Sequence, residues 1–287
     1  MTGSHAWPWE GAPPAAAGGS VVINPGRPLV GRLRVPGDKS VSHRAVLLAA
    51  RAGGVSTIKG LSDGDDVRRT ALAMVAAGAR VEAVPGPARQ AGGRLGLPGV
   101  GEVRVAGGPD HLREPEGPLD LGNSGTGIRL LAGWLAAFPW FAVLHGDRYL
   151  AQRPMGRVVE PLRRMGATLD GRDGGRLPPL TVRGGNLTGI DYDLPVASAQ
   201  VKGAVLLAGL GASGVTTVRE PAPVRAHTEE LLAACGAAVE VSADGTVVSV
   251  RASELRPLSL EVPGDPSQAA FWVVAACVIP GSDVTVE

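Results

Sequence analysis

Four places along the chain set hydrogen-bonding side chains at the head of an apolar, Ala- and Leu-rich stretch: Lys39-Ser40, Asn123-Ser124-Gly125-Thr126, Ser198-Ala199-Gln200 and Ser267-Gln268. If each stretch is a helix, its first turn offers unpaired backbone N–H groups and the positive end of the helix dipole, a natural seat for an anion. Ordinary N-capping is the plainer reading of any single Ser or Thr there. Lys39 does not fit that reading, because a cap must accept a hydrogen bond and lysine only donates.

Three arginines sit close to these starts. Arg44 lies four residues beyond Ser40 and Arg129 three beyond Thr126, so each shares a helical face with its polar start. Each is either a surface residue snorkelling out of an apolar face or a charge held for a forked contact with phosphate or carboxylate. Arg153 precedes Pro154, which pre-forms the next helix and could hold it rigidly; a solvated loop residue is the alternative. His43, beside Arg44, reads as support for the anion site.

Several familiar chemistries are excluded. Gly209-Leu-Gly-Ala-Ser-Gly214 matches a dinucleotide pattern but follows a helix and precedes a strand, the reverse of what pyrophosphate binding needs. Gly37-Asp-Lys-Ser40 lacks the spacing of a nucleoside triphosphate loop. No histidines and acids stand at metal-ligand spacing, and no nucleophile elbow appears. Asp63-Gly-Asp65-Asp66 has no glutamate at the offset of a calcium loop and reads as an N-cap.

Composition narrows the class. The 287 residues suit one large or two smaller domains, and 44% hydrophobic against 19% charged residues argues for a folded chain. Twenty-eight Lys and Arg against 27 Asp and Glu leave no basic excess for a nucleic acid. Two cysteines are too few for a disulfide framework and fit a reducing cytosol. No apolar run reaches membrane length, and residues 1–20 read as a flexible tail rich in Pro, Ala and Gly.

The elements that must position these residues recur. The polar turn and apolar helix alternate with a second phrase, an amphipathic helix closed by Gly-Ala and a short strand: DDVRRTALAMVAAGARVEA, GRVVEPLRRMGATLD and HTEELLAACGAAVEV. Gly78, Gly166 and Gly236 each stand where a left-handed C-terminal cap is expected. The predicted cycle is helix, strand, helix, strand, strand, three times over residues 38–262, with a fourth begun at Pro263. The end on VTVE, with no polar tail, is expected of a truncated chain, and the apolar helix predicted for residues 267–279 is expected to lack cover.

PGDKSVSHRAVLLAA, LGNSGTGIRLL, QRPMGRVVEPL, PVASAQVKGAVLLAGL and VPGDPSQAAFWVVAA, in this order, resemble the bacterial type of 5-enolpyruvylshikimate-3-phosphate (EPSP) synthase. The likeness runs over residues 21–287. The related UDP-N-acetylglucosamine enolpyruvyl transferases open with Lys-Asn where this chain has Lys39-Ser40 and carry a loop cysteine, whereas Cys235 and Cys277 fall in predicted helices. Such a transferase, and a non-catalytic anion-binding fragment, are the alternatives.

The resemblance implies an α/β fold, an inverse α/β barrel of repeated helix-strand units in two domains. Residues 21–37 and 263–287 would be parts of one domain, incomplete here, and residues 38–262 the other. It implies that Lys39, Ser40 and Arg44 hold shikimate 3-phosphate, that Lys39 also meets phosphoenolpyruvate, and that Ser198 and Gln200 bind the phosphate and ring region. Gly125 and Arg153 would face phosphoenolpyruvate, with Asn123 and Thr126 beside them; Ala199, where many relatives have serine, could contribute only backbone; and Arg225 would add a phosphate contact. The implied reaction moves the enolpyruvyl group to the 5-hydroxyl of shikimate 3-phosphate and releases phosphate. No metal or organic cofactor is implied, and the full-length protein would be a cytoplasmic monomer. The acid/base Asp and Glu of the family would lie beyond Glu287, so this chain is expected to be inactive alone. The herbicide glyphosate would occupy the phosphoenolpyruvate position.

Overall fold

The computed structural model describes residues 27–85 and 100–287; the tail expected over residues 1–20 lies outside them. Three units of like topology make up most of the chain. The first runs α1 (Lys39–Arg51), β2 (Gly54–Lys59), α2 (Asp65–Ala76), β3 (Arg80–Pro85) and β4 (Val100–Gly107), after an opening strand β1 (Val30–Leu33) that belongs elsewhere. The second runs β5 (Leu119–Asp120), α3 (Gly125–Ala136), β6 (Phe141–His145), α4 (Gly156–Arg164), β7 (Thr168–Gly171), a single turn α5 (Arg172–Gly175) and β8 (Leu177–Arg183). After the short β9 (Leu187–Thr188), the third runs β10 (Asp191–Asp193), α6 (Ala199–Gly209), β11 (Ala212–Ser213), β12 (Val215–Arg219), α7 (His227–Ala234), β13 (Val239–Val241) and β14 (Val247–Arg251). The chain leaves through β15 (Ser259–Glu261), α8 (Pro266–Val278) and β16 (Asp283–Val286).

The three predicted cycles are present, each enlarged by a leading strand. The sheets are ordered β15-β2-β4-β3, β5-β6-β8-β7 and β10-β12-β14-β13, with the first pair of each parallel and the other two antiparallel. In the second and third units the leading strand precedes its own helix. In the first it is β15, which returns from the far end of the third unit and pairs Ser259 with Thr57.

Burial explains why helices lie inside and sheets outside. Every residue from Val41 to Ala50 of α1 is buried, as is nearly all of α3 and α6, so no polar face remains to meet water. The strands β12 and β14 alternate buried and less buried residues, as a sheet with one covered face should. A Cβ on Gly133 would overlap the Ala204 carbonyl oxygen, so this glycine lets α3 and α6 cross almost backbone to backbone. Trp134 is fully buried and donates Nε1–H to the Leu47 carbonyl at 3.0 Å, tying α3 to α1. The second helix of each unit ends as expected: Gly78, Gly166 and Gly236 have φ of +99°, +106° and +76°.

One reading is corrected. The acidic run at Asp63 supplies no side-chain cap: Gly64 is the N-cap of α2, and Asp65 and Asp66 fill the first turn, where carboxylates favour the helix dipole. Lys39 opens α1 because Asp38 is its cap, accepting from Val41 N–H at 2.8 Å.

Outside the three units, β1 pairs with β16 in parallel and α8 packs beside β16. The two strands that connect this part to the rest meet at Gly37 and Gly264, with Asp38 N–H donating to Pro263 O at 2.8 Å and Asp265 N–H to Pro36 O at 2.9 Å. Helix α8 has no buried residue, and Phe271 and Val278 are each more than 70% exposed. Among the described residues, no helix is long and apolar enough to cross a membrane.

Candidate active site

The N-termini of α1, α6 and α8 and the second residue of α3 open onto one cleft of about 680 Å³, lined by Lys39, Ser40 and Arg44, by Thr126, by Ser198, Ala199 and Gln200, by Arg225 ahead of α7, and by Asp265, Ser267 and Gln268. Some caps stand on the cleft wall itself: Ser198 and Asp265 both cap a helix and line the cleft, whereas Ser124 caps without lining it. Ser124 Oγ accepts from Gly127 N–H at 3.0 Å and Ser198 Oγ from Val201 N–H at 3.4 Å, so these two serines are caps. Asp265 caps α8 through Ser267 N–H at 2.8 Å and reaches Lys39 N–H at 3.3 Å with its other oxygen, which locks the starts of α1 and α8 together. Burial works to raise that carboxyl, and the N–H groups of Ser267 and Lys39 outweigh it, so Asp265 stays ionised below the usual range.

Lys39 Nζ pairs with Asp66 Oδ2 at 3.0 Å and is half exposed, a contact an incoming anion can displace. Arg44 is different: only 1% exposed, it donates from Nε to Thr228 Oγ1 at 2.6 Å, from Nη1 to Ser40 Oγ and O at 2.7 and 3.1 Å, and from Nη2 to Ala199 O at 3.0 Å. One Nη2 hydrogen is left over. Arg44 thus braces the cleft wall as well as charging it, and by accepting from Arg44, Ser40 Oγ is left to turn its own proton outward. Burial brings the Arg44 guanidinium down to about 10, opposed by Glu229 and Asp38, so it remains a cation.

A second cation cluster adjoins the cleft at the start of α3. Arg153 Nη2 donates to Asn123 Oδ1. Arg129 donates from Nη1 to Gly125 O and Gln200 Oε1, both at 3.0 Å, and from Nη2 to Pro154 O at 2.9 Å, while Gln200 Nε2 donates to Thr126 Oγ1 at 2.9 Å. Burial and the nearby Arg153 and Arg157 charges lower the Arg129 guanidinium. A Cβ on Gly125 would overlap Arg153 Nη1 and stand 3.1 Å from Arg129 Nη1.

Sequence reasoning missed the first turn of α7. His227 Nδ1 lies 3.4 Å from Ser40 Oγ, and Thr228 accepts from Arg44. Burial lowers His227, with Asp38 opposing, which favours a neutral ring. His43 is enclosed, its Nδ1 2.7 Å from Thr70 Oγ1, and burial drives it to about 3; it supports α1 from behind and does not face the cleft. Asp265 was visible as an Asp-Pro helix start, a strong cap signal. No cluster of His, Cys, Asp and Glu among the described residues could hold a metal ion.

The family described as EPSP synthase (3-phosphoshikimate 1-carboxyvinyltransferase) matches residues 23–287. The chain belongs to this family. Among EPSP synthase relatives, the 3-phosphoshikimate 1-carboxyvinyltransferase of Caulobacter vibrioides is 51% identical over 270 residues, covering 92% of this chain and 57% of the relative. That of Novosphingobium aromaticivorans is 52% identical over 265 residues, covering 91% and 57%. A solved EPSP synthase from Acinetobacter baumannii superposes with a TM-score of 0.79 at 41% identity, covering 92% of this chain and 56% of that one. The fold is that of the EPSP synthases, and the chain spans a little over half the length of the relatives it matches.

Proposed function

We propose that the chain carries the shikimate 3-phosphate cleft of an enolpyruvyl transferase, which moves the enolpyruvyl group of phosphoenolpyruvate to the 5-hydroxyl of shikimate 3-phosphate and releases phosphate. The observation that carries this reading is the convergence of three helix N-termini with Lys39, Arg44 and Arg225 on one cleft, in a chain 51% identical to a 3-phosphoshikimate 1-carboxyvinyltransferase. Two phosphates and two carboxylates need fixed cations, and charge-assisted bonds in a preorganised site supply both affinity and transition-state stabilisation.

In this reading, backbone N–H groups of α1 and α6, the Ser40 hydroxyl, Lys39 and Arg225 hold the shikimate phosphate. Ser198 and Gln200 line its ring, and Ala199 contributes backbone alone. Asn123, Gly125, Thr126 and Arg153 face phosphoenolpyruvate. Arg129, through Gly125 and Gln200, keeps the two groups in register. Residues 263–287 and, of the expected 21–37, the described residues 27–37 belong to the second domain, a division supported by the narrow double crossing at Gly37 and Gly264. In this reading the proton-transfer carboxylates are supplied from outside these 287 residues.

Titration calorimetry tests the reading. The chain is expected to bind shikimate 3-phosphate, weakly, and to lose that binding on Lys39→Met and Arg225→Ala, and a phosphate-release assay with phosphoenolpyruvate is expected to show no turnover. Equal binding of shikimate and shikimate 3-phosphate would overturn the phosphate assignment, and product formation by these 287 residues would overturn the assignment of the acid and base elsewhere.

A further inference from the structure

Beyond Gln200 in its first turn, helix α6 carries one polar side chain, Lys202, which is fully buried. Its Nζ donates to Glu220 Oε2 at 2.9 Å, on the loop after β12, and to Glu229 Oε1 at 2.6 Å, in the first turn of α7. Both glutamates are buried as well. A lysine and two carboxylates taken out of water carry a net negative charge, which the interior tolerates only if something nearby balances it. Arg44 supplies the balance. Glu229 is the foremost charge sustaining its cationic form, yet no carboxylate touches it among the described residues. Lys202 and Arg44 thus face Glu220 and Glu229 in one buried group, with Asp38 also sustaining Arg44, and one member is the arginine of the anion cleft.

The geometry gives the set a direction. Three consecutive residues at the start of α7 each hold a different point at or behind the cleft wall: His227 meets Ser40, Thr228 accepts from Arg44 Nε, and Glu229 grips Lys202 in α6. Gly203, next to Lys202, has Arg44 Nη2 and Thr228 Oγ1 at 3.2 and 2.9 Å from where a Cβ would stand, so α6 admits the guanidinium only because that position is bare. Of the residues this network joins, Ser40 and Arg44 line the cleft, and His227, Thr228, Lys202 and Glu229 stand behind them.

We propose that Lys202, Glu229 and Thr228 are positioning residues for Arg44, a buried clasp that fixes the first turn of α7 and so aims the one uncommitted N–H of Arg44 and the Ser40 hydroxyl into the cleft. The proposal rests on the assignment of that cleft to shikimate 3-phosphate. The clasp acts on orientation: it sets how well the cleft recognises its anion and leaves the rest of the fold to the apolar helices.

The experiment compares the wild-type chain with Thr228→Val, Thr228→Ser and Glu229→Gln by two readouts: titration calorimetry with shikimate 3-phosphate, and the Arg44 Nε–H resonance in nitrogen-15 NMR. Thr228→Val keeps the shape and removes the acceptor; it is expected to bind at least tenfold more weakly and to lose the protected Nε–H signal, while Thr228→Ser restores both. Glu229→Gln keeps a hydrogen bond to Lys202 and removes the charge, and is expected to broaden or shift the same resonance. Thr228→Val with unchanged affinity and an unchanged Arg44 signal overturns the proposal, as does a Ser variant that behaves like Val. If the wild type binds no shikimate 3-phosphate, the cleft assignment fails, and the Nε–H signal alone still decides whether Thr228 and Glu229 hold Arg44.

Discussion

Gly125→Ala isolates one contact. The added methyl would overlap Arg153 Nη1, with Arg129 Nη1 at 3.1 Å and Arg153 Cδ at 3.4 Å. Both obstacles are the far ends of flexible side chains, so the backbone need not move. Arg153 must retreat by about 1 Å to reach an ordinary contact near 3.5 Å, and its bond to Asn123 Oδ1 is lost on the way. Arg153 is thereby drawn back from the anion it would face, and a charge-assisted bond to that anion is worth about 1.5 to 3 kcal/mol, so phosphoenolpyruvate affinity is expected to fall roughly ten- to a hundred-fold. Thermal stability should hardly change, since Arg153 is not part of the core. The decisive assay is a double-mutant cycle in the catalytically complete enzyme, with phosphoenolpyruvate binding measured in the presence of shikimate 3-phosphate. If the methyl acts by displacing Arg153, Gly125→Ala adds little on top of Arg153→Ala. Additive losses would refute the displacement and make the methyl an obstacle to the ligand itself; no loss from either would remove both residues from the site. Glyphosate, which the family likeness places at the same position, is expected to lose more affinity than phosphoenolpyruvate in Gly125→Ala, and inhibition constants for the two variants check this.

Gly133→Ala drives a methyl into the Ala204 carbonyl, with Ala204 Cα at 2.7 Å; backbone cannot yield as Arg153 can, so a loss of at least ~1 to 3 kcal/mol is expected in urea unfolding. His43 is held at about 3 by burial, with Asp66 opposing and Lys39 and Arg44 assisting. The unfolded chain takes up its proton first, so its contribution to stability is intact above about pH 6.5 and declines below that by up to ~1.4 kcal/mol per pH unit; His43→Gln should flatten this slope between pH 6.5 and 4.5. Phe271, Trp272 and Val274 on α8 are exposed together, so the chain is expected to bind the dye ANS, and Phe271→Glu with Val274→Lys should reduce the signal without altering the melting temperature.

The repeating units and their glycine stops were legible because they are local. Gly78, Gly166 and Gly236 follow helical periods of ordinary length, and a left-handed cap leaves its mark in one residue. The leading strands were not legible. β5, β10 and β15 are two or three residues of Leu-Asp, Asp-Tyr-Asp and Ser-Leu-Glu, with no alternation to detect, and they become strands only by pairing with a partner. The candidate residues Lys39, Ser40, Thr126, Ser198 and Gln200 do share a cleft, because polar groups at the head of an apolar helix are confined to the one end that can face solvent. What escaped was the charge inside. Lys202 in the mostly apolar α6 was the available signal; Glu220 and Glu229 sit among polar neighbours in sequence, and only three-dimensional proximity joins them to it.

The return of β15 to the first sheet has a bearing on how the chain is made. Ser56 Oγ accepts from Leu258 N–H across 202 residues of sequence, one residue from the edge that β15 closes. At about 5 to 20 residues per second, a ribosome takes roughly 10 to 40 s to supply the closing strand after β2 has been synthesised. During that interval the β2 edge is open and the nascent first unit offers unpaired backbone to any neighbour, including its own kin on the same messenger. A chaperone that shields strand edges would therefore be expected to engage this chain early and release it late, when residue 261 has cleared the exit tunnel.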